Sequence, residues 1–301
     1  MQLVDLKDIF GLVKNRPKHH IVAAWAVDAH TIEAIAKAVD MEIVDATLVG
    51  DETRILQVCK DKGIDPEKFN LVHEVTDSKA VAKSVNLINS QKGNLLMKGS
   101  LSTDKYMRAI LDNQKGLMEP GCMLSHVTIM KISAYHKLLI FGDVAIIPLP
   151  DLKQKVAITN YLISTAHALG ISQPKVALLA ATEQVLPGMT ACVDAAVISK
   201  MAERNQIKGA LVDGPLSMDL SINKDSVKFK GIESRVAGDA DCILFPNIES
   251  GNVFYKANDQ YGCSEQAAIM VGARVPAVLS SRGDSVETKI YSLALAAMLA
   301  K

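Results

Sequence analysis

Short apolar runs alternate with longer stretches of helical pattern along almost the whole chain, and no other feature narrows the fold so far. Residues 21–27, 44–49, 71–75, 94–97, 176–180, 210–212, 242–245 and 277–279 are runs of strand length dominated by Val, Ile, Leu and Ala. Their apolar character is mostly continuous, as expected of strands covered on both faces. Residues 30–39, 51–62, 77–90, 102–113, 151–169, 190–204 and 247–257 carry helical spacing or begin at a capping residue, as at Asp51 and Ser102. Residues 264–271 read as a further short helix, and 222–238 take no assignment. Alternation of this kind predicts an α/β protein with an open, mostly parallel sheet and helices on both faces. It breaks once, at 126–132 and 137–147, which read as two long antiparallel strands ended by Pro148 and Pro150. At 301 residues the chain is long enough for two domains, and this pair marks the joint.

Charge and composition exclude several functions. Lys+Arg and Asp+Glu are equal at 33 each, and aromatic residues make up 4%. Without a basic stripe or stacking side chains, neither nucleic acid nor a membrane surface is an expected partner. An anionic ligand must be held by a local site. The five cysteines are odd in number and dispersed, which fits reduced thiols and a cytoplasmic location. Leu3, Leu6, Phe10 and Val13 among charges read as an amphipathic helix, not a signal peptide. No apolar run approaches the ~20 residues that span a bilayer. Dinucleotide, P-loop, nucleophile-elbow and H-E-x-x-H patterns are absent, and the seven histidines show no ligand spacing. No bound metal or cofactor is expected.

Two stretches suit an anion. In the first, residues 277–279 run into Ser280, Ser281, Arg282, Gly283, Asp284 and Ser285, and a helical pattern follows to the C-terminus. Gly283 permits a tight turn, Asp284 or Ser285 can cap the helix, and Asp284 with Glu287 has the spacing of a capping box. Free N–H groups, the helix dipole and the Arg282 fork would all face a ligand there. A capped helix with a surface arginine fits the local pattern equally well. In the second, Lys98, Gly99 and Ser100 precede Ser102, Thr103 and Arg108. Arg108 lies about 9 Å along the axis from Ser102 and leans back toward the turn. An i,i+4 pair with Asp104 is the competing reading. In open α/β sheets ligands bind beyond the carboxyl ends of strands. Both stretches sit at such ends, as do Asp28, Asp213 and Asn247.

With these segments the chain resembles the phosphate acetyl- and butyryltransferase family over nearly its whole length. The resemblance is carried by Ser102–Thr103 with Arg108, by the block from Asp239–Ala240–Asp241 through Pro246 to 251–256, and by 281–289. It implies a two-domain α/β fold like that of the metal-dependent isocitrate and isopropylmalate dehydrogenases. The implied division is 1–133 plus 280–301 for one domain and 134–279 for the other. A homodimer with its active site in the inter-domain cleft is also implied. The implied reaction is acyl-CoA plus phosphate giving acyl phosphate plus CoA, with butyryl-CoA the expected donor and CoA a substrate, not a bound cofactor. Arg282 resembles the family's essential arginine and Ser281 the adjacent serine that hydrogen-bonds the oxyanion. Arg108 matches a second arginine. Ser102, Thr103, Gly283 and Asn247 join it as expected phosphate and CoA contacts. The family's acetyltransferases place an acidic base at the position of Thr288; here the nearby carboxylates are Asp284 and Glu287.

The chemistry needs positive charge near a tetrahedral centre and a carboxylate to take the CoA thiol proton. Direct displacement in a ternary complex is the expected route, because no cysteine has an obvious basic partner for a covalent acyl-enzyme. Two other classes compete: a hydroxy-acid dehydrogenase of the same fold, which would need a metal-binding aspartate cluster and a nicotinamide site, and a non-catalytic acyl-CoA sensor. Within the family, acetyl transfer is the alternative to butyryl transfer.

Overall fold

The first apolar run forms β1 (His19–Ala24), buried at all but one position. Asp28 then caps α2 (Ala29–Asp40), its Oδ1 accepting from the Thr31 N–H at 2.9 Å. The same sequence of strand, capping residue and helix repeats through β2 (Val44–Gly50), α3 (Glu52–Lys62), β3 (Phe69–His73), α4 (Asp77–Asn89), β4 (Leu95–Lys98) and α5 (Thr103–Leu111). Asp51, Thr76 and Ser102 are the later caps. The four strands are parallel, in the order β3-β2-β1-β4. Ahead of β1, α1 (Asp8–Val13) buries Ile9 and Val13. The computed structural model describes residues 3–279 and 283–301.

Residues 125–265, with Met1–Leu6, make one compact unit. Its sheet starts with an antiparallel pair, β5 (Ser125–Lys131) and β6 (Leu139–Gly142). β6 is much shorter than the 137–147 run suggests. Asp143 ends it: Oδ1 accepts from the N–H groups of Ala145 and Ile146, while Oδ2 accepts from Ser125 Oγ and the His126 N–H. With all four bonds made, this buried carboxylate is satisfied. Then come α6 (Leu152–Ala168), β7 (Lys175–Leu179), α7 (Thr190–Glu203), β8 (Leu211–Leu216), α8 (Met218–Ile222), α9 (Lys224–Lys230), β9 (Cys242–Leu244) and α10 (Ile248–Tyr261). The unassigned stretch 222–238 thus holds a helix ended by Gly231 at φ 66°. The strand order is β5-β6-β9-β7-β8, with β6, β9, β7 and β8 parallel. Phe141, Phe245 and Phe254 pack together in the core, centroids 5.3–5.9 Å apart. At the amino ends of these strands Asp239 pairs with Lys175, Lys137 and His136, and Asp241 with Lys137.

The second compact unit is Lys7–Leu124 with Gln266–Lys301. Its borders fall at 124/125 and 265/266; the domain division implied by the family resemblance runs instead at 133/134 and 279/280. All of β5 groups with β6 in the central unit, while β10 (Glu265–Val271), apart from its first residue, groups with β11 (Ala277–Val278). The expected helix at 264–271 is therefore a strand, buried at five of its seven positions. β11 lies beside β4 and parallel to it, and β10 pairs antiparallel outside β11. The closing helix, α11 (Val286–Leu299), buries every residue from Lys289 to Met298. It packs on α1 and α2, where Tyr291 stacks on Phe10 at 5.4 Å.

Candidate active site

Three loops of the Lys7–Leu124 and Gln266–Lys301 unit leave the same edge of its sheet. β1, β4 and β11 are adjacent and parallel, so the segments after Ala24, Lys98 and Val278 all begin at carboxyl ends. Neighbouring strands are about 4.8 Å apart, which puts the carboxyl ends of β1 and β11 roughly 10 Å from each other. The beginnings of the 98–108 and 277–289 stretches, far apart in sequence, are thereby neighbours in space. Gly99 is what lets the middle loop pass the first. Its N–H donates to the Ala24 carbonyl and that of Ser100 to the Trp25 carbonyl. A Cβ on Gly99 would stand 2.4 Å from the Trp25 oxygen. Tyr106, buried in α5, donates its hydroxyl to the Val278 carbonyl at 3.3 Å and ties the second loop's helix to the end of β11. Burial pushes the Tyr106 phenol well up, so it acts as a hydrogen-bond donor.

Ser102 caps α5, its Oγ accepting from the Lys105 N–H, and Thr103 is the first helical residue. Arg108 pairs with Asp104 through Nε at 2.9 and 3.0 Å, its side chain 80% exposed. In this structure it therefore takes the i,i+4 geometry. Ser281 and Arg282 lie outside the described residues. Gly283 and Glu287 are exposed and Asp284 half-buried. The expected Asp284–Glu287 capping box is replaced by a different cap. Ser285 is the N-cap, its Oγ accepting from the Thr288 N–H at 3.0 Å and meeting Thr288 Oγ at 3.1 Å. With Ser285 as the cap, Glu287 becomes the second helical residue, and the three-residue spacing belongs to Ser285 and Thr288. Asn247 belongs to the other unit, at the carboxyl end of β9, where it caps α10 by accepting from the Ser250 N–H at 3.0 Å.

Two lysines at this edge, named in the sequence only as members of their stretches, are buried. Lys98, 3% exposed, donates to the carbonyls of Gly99 and Leu101 and closes its own turn. Lys289, 2% exposed in the first turn of α11, donates to the Asp284 carbonyl at 3.1 Å. The one available signal was a lysine abutting an apolar run, next to a Gly–Ser or Gly–Asp turn. Carbonyls tied in this way hold each turn in a fixed conformation beside its helix start.

The model of the family described as phosphate acetyl/butaryl transferase matches residues 57–297, most of the chain. The chain is also 40% identical to a phosphate butyryltransferase from Clostridium acetobutylicum over 98% of both sequences. The chain belongs to this family. Among solved structures, a branched-chain phosphotransacylase from Enterococcus faecalis is similar at TM-score 0.81 and 28% identity, covering 93% of this chain and 98% of that one. A 4-hydroxythreonine-4-phosphate dehydrogenase from Klebsiella pneumoniae aligns over 93% of this chain and 98% of its own, at TM-score 0.52 and 12% identity. At that identity the likeness to the dehydrogenase is one of fold. The chain is thus a phosphate acyltransferase-family enzyme on a dehydrogenase-like fold. Among the described residues, no three His, Cys, Asp or Glu side chains are arranged to hold a metal, and no helix is long and apolar enough to cross a membrane.

Proposed function

We propose that the chain transfers a butyryl group between CoA and phosphate, reversibly, by direct displacement in a ternary complex. The observation that carries the reading is that the Ser102–Arg108 stretch and the 277–289 stretch leave adjacent parallel strands at one edge. Family membership supplies the reaction class. In the acyl phosphate-forming direction, a phosphate oxygen attacks the thioester carbonyl, a tetrahedral oxyanion forms, and the thiolate leaves. Arg282 and Ser281 stabilise that oxyanion with charge and a hydrogen bond. In reverse, a carboxylate takes the CoA thiol proton, whose ordinary pKa is about 8.5. Asp284 is the better candidate base, because it is half-buried directly after Gly283 whereas Glu287 is exposed on the helix. Ser102, Thr103, Arg108 and Gly283 contact the phosphate or CoA, with Asn247 a further contact. The enzyme needs no metal or nucleotide and works as a cytoplasmic homodimer.

Initial rates of phosphate-dependent CoA release from acetyl-, propionyl-, butyryl- and branched acyl-CoA test the acyl assignment. Butyryl-CoA should have the highest kcat/KM. A clear preference for acetyl-CoA would make the chain a phosphate acetyltransferase.

A further inference from the structure

Lys289 is placed where a lysine is costly. It sits in the first turn of α11, where the helix dipole opposes a cation, and it is 2% exposed. Taking an ammonium out of water costs several kcal/mol unless partners repay it. A methionine would fill the same space without either penalty. Burial lowers the Lys289 pKa, and the carboxylates of Asp284 and Asp28 act against that lowering. Both acidic residues, one after β1 and one after β11, thus favour the charged form of this lysine. Asp28 adds an observation of its own. Its Oδ1 is taken by the α2 cap, while Oδ2 is buried with no hydrogen-bond partner among the described residues. An orphaned carboxylate oxygen of this kind is expensive to bury, and the nearby Lys289 charge offsets that cost.

The contact that Lys289 makes with its own loop indicates a role. Its Nζ donates to the Asp284 carbonyl, in the peptide that joins Asp284 to the capping Ser285, two residues after Arg282. We propose that Lys289 is a positioning residue for acyl transfer: its buried ammonium holds the main chain of the 283–285 turn against α11, and so sets the position of Asp284, the candidate base. The inference rests on the acyltransferase reading given above. Lys289 touches neither substrate in this account. It fixes the main chain, so the interaction that suffers without it is the one that strengthens in the transition state.

The test compares wild type with Lys289→Met, which keeps volume and removes the charge and donor. Phosphate-dependent CoA release from butyryl-CoA is measured alongside thermal unfolding. The expected result is a folded protein whose kcat falls at least about tenfold while KM for phosphate and butyryl-CoA changes less than about threefold. Lys289→Ala should be inactive alone and partly restored by ethylammonium chloride but not by sodium chloride, because the small cation fills the vacated place. Unchanged kcat in a folded Lys289→Met protein would overturn the proposal. If Lys289→Met does not fold, ethylammonium rescue of Lys289→Ala decides: recovery supports positioning by the cation, and no recovery leaves only a structural lysine and overturns it. A wild-type protein with no phosphate-dependent CoA release would instead overturn the acyltransferase reading, and this inference with it.

Discussion

At position 282 an arginine stands four residues past the end of a buried strand and precedes the glycine that opens the turn into α11. If its fork meets the oxyanion, the interaction grows as charge grows, and its loss acts on kcat more than on KM. Removing one such donor typically costs ~100–1000-fold in rate. Arg282→Ala should lower kcat by about that factor without unfolding the protein. Arg282→Lys should recover only part, since an ammonium keeps the charge and loses the fork. Steady-state kinetics on purified variants check both, and a near-normal kcat for Arg282→Ala would remove the residue from the site. Arg108 differs: exposed and paired with Asp104, it must leave that pair to meet a ligand. Such a pair is worth only ~0.3–0.5 kcal/mol, so exchanging it for a phosphate is cheap. Arg108→Ala should raise KM for phosphate or CoA more than it lowers kcat.

Among the elements, α11 shows how a helix start depends on one side chain. Ser285 Oγ satisfies the Thr288 N–H, and Ser285→Ala should cost ~1 kcal/mol of stability, within the usual 0.5–2 for a lost cap. Denaturant unfolding measures it; no change would mean that another residue caps α11. The ion cluster at the amino ends of β7 and β9 makes a pH prediction. Burial alone would raise the Asp239 carboxyl, but hydrogen bonds from Lys175 and Lys137 outweigh it and hold the pKa at about 2. A depressed carboxylate pKa stabilises the fold above its unfolded value, near 3.8, and that contribution is lost as pH falls toward about 2. Discounted for screening by solvent at this partly exposed group, the size is about 1 kcal/mol. Asp239→Asn should therefore lower stability at neutral pH and flatten its decline between about pH 4 and 2, as read by urea unfolding at each pH. Sequence reading worked best where the information is local. Asp51 and Ser102 were legible as caps because a cap needs only its own next three residues. It failed at 264–271, where Ser-Glu-Gln-Ala-Ala-Ile-Met-Val favours a helix by composition but is drawn into the sheet beside β11. It also overran β6, because nothing local says that the Asp143 carboxylate will turn the chain.

For the whole molecule, the decisive fact is strand order. The last strand of the chain inserts beside the fourth, and only this brings residues near 100 and near 280 to one edge. Periodicity and capping cannot reveal such a placement, since it is set by pairing across about 180 residues. The resemblance named the family from three separated motifs, and the match over residues 57–297 bears that out. The two buried lysines stayed hidden because burial of a charged residue is a property of the folded unit. The measurement that bears most directly on the account is CoA release from butyryl-CoA by the wild-type chain, with a chelator present and no nucleotide, in the presence and absence of inorganic phosphate. The account predicts release only with phosphate, matched mole for mole by butyryl phosphate trapped as its hydroxamate. No release, or release that proceeds equally without phosphate, would contradict it.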